Sequence, residues 1–303
     1  MDSSISPTEY FVRGSAPQAG QGQIGPIKHN YHLHPLVQLP RLAQLAKSLY
    51  ATEQCRFVLP GTNVKSVFHH EAKSPDGRDI DTVFSQIEQP GSWVALYNIQ
   101  TDPLYSQFLW DVMGSAKKVM AHEQNIYDVR GFIFISAPPS VTPLHIDRES
   151  NFWLQLHGRK TMNVWRNDDT MLVPTERREK FLMYGGADIQ FRDEYLARSH
   201  EFECGPGDGV FFPMTSPHMT RSTTDWVQPC NGVTASIGVV FYSDQTRRAA
   251  NIHVANHFLR RAIKSDPLGP QVPGLANTVK YVAGKVIMAG KQLRGGYKAP
   301  PGF

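Results

Sequence analysis

The chain has 303 residues, of which 41% are hydrophobic and 19% are charged, and its formal net charge is +4. This composition is that of a soluble globular protein long enough to bury a core, and so small a charge does not by itself indicate nucleic-acid binding. The three cysteines form no CxxC pair, which argues against a disulfide scaffold and favours a reducing compartment. No apolar run approaches the ~20 residues of a membrane span, so we expect a cytoplasmic protein.

The first part of the chain contains a polar segment followed by predicted helices. Residues 1–25 are rich in Ser, Gly, Gln and Pro and lack the apolar stretch of a secretory signal, so we expect a flexible N-terminus. Leucines at helical spacing predict a helix over 39–50. A strand is predicted over 92–99 and a helix over 102–115.

The middle of the chain is rich in β-forming residues. Between about Arg130 and Tyr242, short aromatic and β-branched runs alternate with turn residues. This is the pattern of an all-β barrel or sandwich. We therefore expect one domain over 26–243, in which N-terminal helices precede a mostly β core.

The last segment, 244–303, is predicted to be a basic helical region. It carries ten Lys or Arg residues against two acidic residues, and its apolar spacing predicts helices over 251–263 and 276–293. A basic tail can contact an acidic partner, a membrane surface or nucleic acid, but solvated helix faces are the commoner reason for such charges. No helix-turn-helix accompanies it, so nucleic-acid binding is not expected.

Two motifs in the β-rich region suggest a metal site. His145 and Asp147 form an HxD motif between two predicted strands, and His218 follows a turn, a strand and a Pro-containing loop. Neighbouring strands can bring such residues together although they are far apart in sequence. Two imidazoles and one carboxylate are the ligand set of non-haem iron(II) oxygenases, which leaves coordination positions open. The β-rich context favours this metal site over ordinary buried or surface histidines.

Four stretches, TPLHID, NFWLQLHGRK, GPGDGVFFP and PHMTRS, resemble a known family. They are similar to the JmjC-related, cupin-like iron(II)- and 2-oxoglutarate-dependent oxygenases, among them the asparaginyl hydroxylase that acts on hypoxia-inducible factor. The resemblance covers roughly residues 90–243. It implies a mostly β core with flanking helices, built as a double-stranded β-helix (jelly-roll or cupin) barrel. It also implies a 2-oxoglutarate-dependent dioxygenase that uses Fe(II), 2-oxoglutarate as cosubstrate and dioxygen.

The resemblance also implies roles for particular residues. The metal ligands, and with them the catalytic centre, are His145, Asp147 and His218. The residues expected at the 2-oxoglutarate site are Lys160 and Thr142 at its distal carboxylate, Asn151, the aromatic Trp153, and Ser236 on the later strand. In that later strand the family often has an inward Asn, where this chain has Gly238 or Ser236, and its Trp-Trp before the second His is replaced here by residues 215–217. Arg148 and Glu149, directly after the HxD motif, are expected either at the mouth of the site or as exposed loop charges, and the residues expected to contact the substrate are Tyr97 and Arg148.

Strand geometry agrees with this placement of the lysine. Asn151, Trp153 and Gln155 alternate along one predicted strand and share a face. A turn at His157 and Gly158 changes the parity, so Lys160 can point inward on the return strand. A buried lysine without an anionic partner is costly, and a dicarboxylate would supply that partner.

Several functions stay open at this point. The favoured one is hydroxylation of a side chain in a protein or peptide, and a small-molecule or amino-acid hydroxylase or an N-demethylase would use the same chemistry. Two alternatives lack the cosubstrate: a metal cupin that does not use 2-oxoglutarate, and a non-enzymatic cupin ligand sensor. The apolar positions of the last helix, Val279, Val282, Val286 and Ile287, predict either a homodimer interface or packing onto the core.

Overall fold

The computed structural model describes residues 9–14, 23–120, 125–186, 188–225, 232–263, 267–270 and 272–294, and they are mostly β with flanking helices. The strands are β1 Val12–Arg13, β2 Gly25–His29, β3 Cys55–Phe57, β4 Trp93–Leu96, β5 Ile126–Ser136, β6 Ser140–His145, β7 Ser150–His157, β8 Lys160–Val164, β9 His200–Cys204, β10 Asp208–Phe212, β11 His218–Ser222 and β12 Thr234–Ser243. The α-helices are α1 Leu39–Tyr50, α2 Ile80–Ser85, α3 Pro103–Ala116, α4 Thr175–Tyr184, α5 Asp244–Ile263 and α6 Leu275–Leu293.

The strands form two antiparallel sheets. The larger has the order β1-β2-β10-β7-β12-β5-β4-β3, and the smaller has the order β6-β11-β8-β9. The main hydrophobic core lies where the larger sheet packs against α1 and α3, and it includes Leu42, Phe108, Ile133 and Phe152. The prediction of a mostly β core with flanking helices is thereby confirmed, whereas closure of the sheets into a barrel stays a prediction.

The predicted helix over 39–50 is α1, and its leucines 42, 45 and 49 are buried as their spacing requires. The helix predicted over 102–115 is α3. It begins after Asp102, whose side chain accepts hydrogen bonds from the N–H groups of Leu104 and Tyr105, and Pro103 occupies the first helical position. The strand predicted over 92–99 is the shorter β4.

The expectation of an all-β region between Arg130 and Tyr242 is wrong over residues 175–184, which form α4. This helix lies in the connection between β8 and β9. Its sequence is charged and carries a Glu176–Lys180 pair at i,i+4 spacing, which favours a helix over a strand. The helix packs against α5, so it joins the β core to the C-terminal region.

Most of the segment predicted to be flexible, 1–25, lies outside the described residues. Within it, Val12 and Arg13 pair with β2, and the N–H of Val12 donates to Oγ of Ser115 at 2.7 Å. Val12 is buried, so this short strand belongs to the packed structure.

The C-terminal region begins with α5 directly after β12, at the predicted boundary of 244. The helices α5 and α6 cross closely, because a Cβ added at Gly284 would overlap the carbonyl oxygen of Asn251. Only glycine permits this approach. No helix among the described residues is both long and apolar enough to cross a membrane.

Candidate metal centre

Three side chains predicted to bind a metal converge at one end of the smaller sheet. His145 ends β6 and is the register partner of His218, which begins β11, while Asp147 follows β6 by two residues. The imidazole centroids lie 4.1 Å apart, and Nε2 of His218 lies 3.4 Å from Oδ2 of Asp147. One possible ligand atom from each residue falls within 4.8 Å of the others. This spacing suits a single divalent ion held by two imidazoles and one carboxylate.

Backbone carbonyls orient both imidazoles. Nδ1 of His145 lies 2.7 Å from the carbonyl oxygen of Pro143, and Nδ1 of His218 lies 3.0 Å from that of Ser216. A carbonyl oxygen only accepts, so each Nδ1 carries the proton and each Nε2 keeps a free lone pair. Such second contacts are the usual means of holding a metal-binding histidine in one tautomer.

Two of the three metal-binding side chains, His145 and Asp147, have shifted pKa values. Burial, together with the neighbouring His218, lowers the pKa of His145 to about 4. Burial works to raise the pKa of Asp147, but the hydrogen bond with His218 and the two imidazoles bring it to about 2. Metal binding requires a neutral imidazole and an ionised carboxylate, and both are present well below pH 7.

The turn before His218 is strained. Thr215 has φ +58°, a left-handed conformation that a β-branched residue rarely adopts, and it is buried. Its N–H donates to the carbonyl oxygen of Asp147 at 2.8 Å. Next in sequence, Ser216 supplies the carbonyl that orients His218. The turn therefore positions one metal ligand and is bonded to the backbone of another.

The metal-binding side chains face a cavity of about 350 Å³ between the two sheets. From the smaller sheet, Thr142, Met162 and Thr220 line it, and from the larger sheet Asn151, Trp153 and Ser236 do so. Four of the five residues predicted to contact a cosubstrate thus line this one cavity: Thr142, Asn151, Trp153 and Ser236. Its volume is within the range of about 300–1,000 Å³ common for ligand sites.

The fifth predicted residue, Lys160, is buried beside the cavity. It lies on the same face of β8 as Met162, and its Nζ donates to Oγ of Ser236 at 3.1 Å. Among the described residues no carboxylate pairs with it, and burial lowers its pKa to about 7. In strand register His218 pairs with both His145 and Val164, and Lys160 lies four residues before Val164 on β8. An uncompensated buried ammonium is costly, so this end of the cavity favours an anion.

On β12, Gly238 occupies the position at which the resembled family often has an inward Asn. A Cβ added there would lie 3.2 Å from the amide nitrogen of Asn151, so the Asn151 side chain uses the space above the glycine. The Oδ1 atom of Asn151 is buried and has no hydrogen-bond partner in the described part of the chain. Asn151 lines the cavity, so this oxygen can accept a hydrogen bond from a group bound there.

The two predicted substrate contacts differ in their placement. Tyr97 lines the cavity, and its burial, with the charge of Asp147, raises the pKa of its hydroxyl. Arg148 does not line it. The guanidinium donates to the carbonyl oxygens of Phe181 and Leu182 at the end of α4. These bonds connect that helix to the loop after β6, which carries Asp147.

Phe68 and His70 also line the cavity and were not predicted. The ring of Phe68 stacks on His145 with centroids 4.7 Å apart, and His70 stacks on Tyr97 at 4.9 Å. Both come from a loop far from the HxD motif in sequence, and no local pattern marks them. Glu149, which was expected at the mouth of the site, is half-buried and lines the cavity, and one of its oxygens accepts from the Tyr242 hydroxyl at 2.7 Å.

A comparison with protein-family models and one with curated proteins found no match. Two solved structures of YcfD from Escherichia coli are similar in fold. One, described as the X-ray structure of E. coli YcfD, is 15% identical, with 92% of this chain and 68% of that chain covered and a TM-score of 0.50. The other is described as YcfD, a ribosomal oxygenase, in complex with cobalt and 2-oxoglutarate; it is 16% identical with the same coverage and TM-score. At these identities the likeness shows the fold alone.

Proposed function

We propose that the chain is an iron(II)- and 2-oxoglutarate-dependent dioxygenase that hydroxylates a side chain of a protein or peptide. The observation that carries the proposal is one cavity with two unlike ends. Three metal-binding side chains lie at one end, and the buried Lys160 lies beside the other. A cosubstrate that chelates a metal and carries a distal carboxylate matches both ends, and 2-oxoglutarate has these two groups.

The residues present fit both groups. His145, Asp147 and His218 would hold iron(II), because their donor set leaves coordination positions open and both Nε2 lone pairs are available. Lys160 would bind the distal carboxylate, and the buried hydroxyl of Thr142 would donate to it. The unsatisfied amide oxygen of Asn151 and the ring of Trp153 border the same space.

When bound, iron(II) and 2-oxoglutarate supply the oxidation: one atom of O₂ enters a substrate C–H bond as hydroxyl, and the other enters succinate as 2-oxoglutarate loses CO₂. The protein orients and shields these groups. The carbonyls of Pro143 and Ser216 hold the imidazoles in one tautomer, and the rings of Phe68 and Trp153, which line the cavity, would shield the bound groups from water.

The fold shared with YcfD supports the proposal, since one YcfD structure is described with cobalt and 2-oxoglutarate. The description of YcfD as a ribosomal oxygenase supports a protein substrate. Hydroxylation of a small molecule and N-demethylation would use the same residues. The two alternatives, a metal cupin without 2-oxoglutarate and a non-enzymatic ligand sensor, do not explain why a lysine is buried at position 160. The similarity to the asparaginyl hydroxylase and the cytoplasmic location stay predictions.

We also propose a homodimer through α6. The apolar side chains of this helix that face solvent recur at spacings of three, four or seven residues and are 55 to 88% exposed: Leu275, Val279, Val282, Val286 and Leu293. This is the spacing of a coiled-coil seam. The opposite face of α6 already packs on α5. A second copy of the helix is an occupant that matches the stripe along its full length.

The test is succinate production from 2-oxoglutarate by the purified protein with Fe(II), ascorbate and air. We expect slow turnover of 2-oxoglutarate without added substrate. His218→Ala should abolish this turnover, and Lys160→Met should raise the concentration of 2-oxoglutarate that it requires. The exposed residues His69 and Lys65 provide matched controls, and His69→Ala and Lys65→Met should behave as wild type.

Binding of 2-oxoglutarate to the Co(II)-loaded protein is titrated in the same samples, because turnover can depend strictly on the substrate. Binding that requires both His218 and Lys160 supports the proposal even without succinate. If neither binding nor succinate is detected with the wild-type protein, the dioxygenase proposal is abandoned in favour of a metal cupin without 2-oxoglutarate.

A further inference from the structure

A second cavity, of about 460 Å³, lies behind the turn that carries His218. Pro213, Met214 and Thr215 of that turn form one wall. The other walls come from α5 and from the first turn of α6. None of the residues assigned to the metal centre or the cosubstrate lines it, so the cavity is a separate space.

The charge of this cavity is positive. Arg248 is the one Lys, Arg, Asp or Glu residue among the described residues that line it. Its guanidinium donates to Oγ1 of Thr278 at 3.0 Å and makes no ion pair with the described residues. This cation therefore sits at the first turn of α6 without a counterion.

The start of α6 adds to this positive potential. The helix has 19 residues and begins after Gly274, and no side chain caps its N-terminus. The first N–H groups of a helix lack partners within the helix and carry a partial positive charge, so they bind anions. Gly274, Asn277 and Thr278 line the cavity, so this helix end is directed at it.

Two buried polar side chains of the lining each have one atom without a hydrogen-bond partner among the described residues. His253 is 4% exposed, and its Nδ1 makes no hydrogen bond with the described residues. Asn277 is equally buried; its Nδ2 donates to the carbonyl oxygens of Gly269 and Val272, whereas its Oδ1 has no partner there. Burial, with the charges of Arg178 and Arg260, lowers the pKa of His253 to about 3, so its ring is neutral and offers a hydrogen bond without a charge. Such groups are costly when left unpaired.

The remaining wall is apolar and includes Phe211, Phe241, Met214, Ile252 and Val272. From these observations we propose that the cavity binds a small organic carboxylate with an apolar body. Its carboxylate would lie between Arg248 and the start of α6, and its body would lie against Phe241 and Met214. Neither the positive end of the cavity nor its apolar wall includes a residue of the metal centre. The proposal therefore does not depend on the proposed dioxygenase activity.

The test uses benzoate and its neutral isostere benzamide as probes. Their affinities are measured by titration calorimetry on the full chain loaded with Co(II) and 2-oxoglutarate, which keeps the metal pocket filled. We expect benzoate to bind about tenfold more tightly than benzamide, as one charge-assisted hydrogen bond predicts. Arg248→Gln should reduce this preference to within about twofold. Arg261→Gln, at an exposed position on the same helix, should leave it unchanged.

Lys160→Met separates the two cavities. Benzoate binding that survives Lys160→Met and is weakened by Arg248→Gln supports the proposal, and binding lost only with Lys160→Met shows that the probe occupies the metal pocket. As a second variant, Ala249→Phe fills the cavity from α5 and should block both probes. Equal affinities for benzoate and benzamide, no binding of either, or equal effects of Arg248→Gln and Arg261→Gln would overturn the proposal.

Discussion

The N–H of Thr215 donates to the carbonyl oxygen of Asp147, so the left-handed residue before His218 is bonded to the backbone of another metal ligand. At φ +58° a Cβ is unfavourable, by about 1 kcal/mol relative to glycine. We therefore expect Thr215→Gly to be more stable than Thr215→Ala by about that amount, the reverse of the usual order. Urea unfolding of the metal-free variants measures it, and an alanine variant at least as stable as the glycine variant would show that the turn is unstrained.

Lys160→Met should stabilise the metal-free protein while it weakens 2-oxoglutarate binding. Methionine has a similar length and no charge, so it removes the desolvation cost of an ammonium whose one partner among the described residues is Ser236. Thermal unfolding and a 2-oxoglutarate titration measure the two effects, with Lys65→Met as the exposed control. Loss of stability in Lys160→Met would mean that the lysine is paired in the folded protein.

The stability difference between the wild type and Lys160→Met should depend on pH. Burial lowers the folded-state pKa of Lys160 to about 7 from an ordinary value of 10.5, so the unfolded chain binds the extra proton between those values. Stability of the wild type relative to the variant then rises with pH across this window, by about 1 kcal/mol per pH unit. Below pH 7 the lysine is protonated in both states, and the full cost remains. Urea unfolding of both proteins at pH 7 and pH 9 should show the gap narrowing; a constant gap would contradict the lowered pKa.

Gly284 and Gly290 of α6 should respond oppositely to alanine. A Cβ at Gly284 would overlap the carbonyl oxygen of Asn251, whereas nothing lies within 4 Å of a Cβ at Gly290. Gly284→Ala should cost about 2 kcal/mol or more because α5 and α6 must separate. Gly290→Ala should raise stability by up to about 1 kcal/mol through helix propensity. Chemical unfolding of both variants tests this, and similar effects would mean that the helices are not in close contact.

A charge in the exposed apolar stripe of α6 should prevent dimerisation. Val282 lies in the stripe and Ala283 lies beside it, both exposed. We expect Val282→Glu to be monomeric by sedimentation velocity, since a carboxylate cannot be buried in an apolar seam without a large cost. Ala283→Glu should keep the association state of the wild type. A wild-type protein that sediments as a monomer at all concentrations would remove the basis for the dimer.

The residues recovered from sequence share one property: their spacing reflects local strand geometry. His145 and Asp147 are two apart where β6 ends, and the parity change at the β7–β8 turn lets Lys160 point inward, so strand geometry agrees with the roles that the family resemblance implied. The His70 and Phe68 side chains reach the same cavity from a loop, where no periodicity operates. Arg148 is bound through its guanidinium to α4, a helix that was not predicted, and its contact with the substrate stays a prediction.

Under the proposed function, the burial of Lys160 would also link the amount of this protein in a cell to the supply of its cosubstrate. The lysine has no anionic partner among the described residues, and a dicarboxylate that binds only the folded state would add about 2.7 kcal/mol of stability at a hundred times its dissociation constant. Proteases degrade the transiently unfolded chain in proportion to its population. When the dicarboxylate is scarce, the protein should therefore be degraded faster, so that its lifetime reports on the metabolic state of the cell.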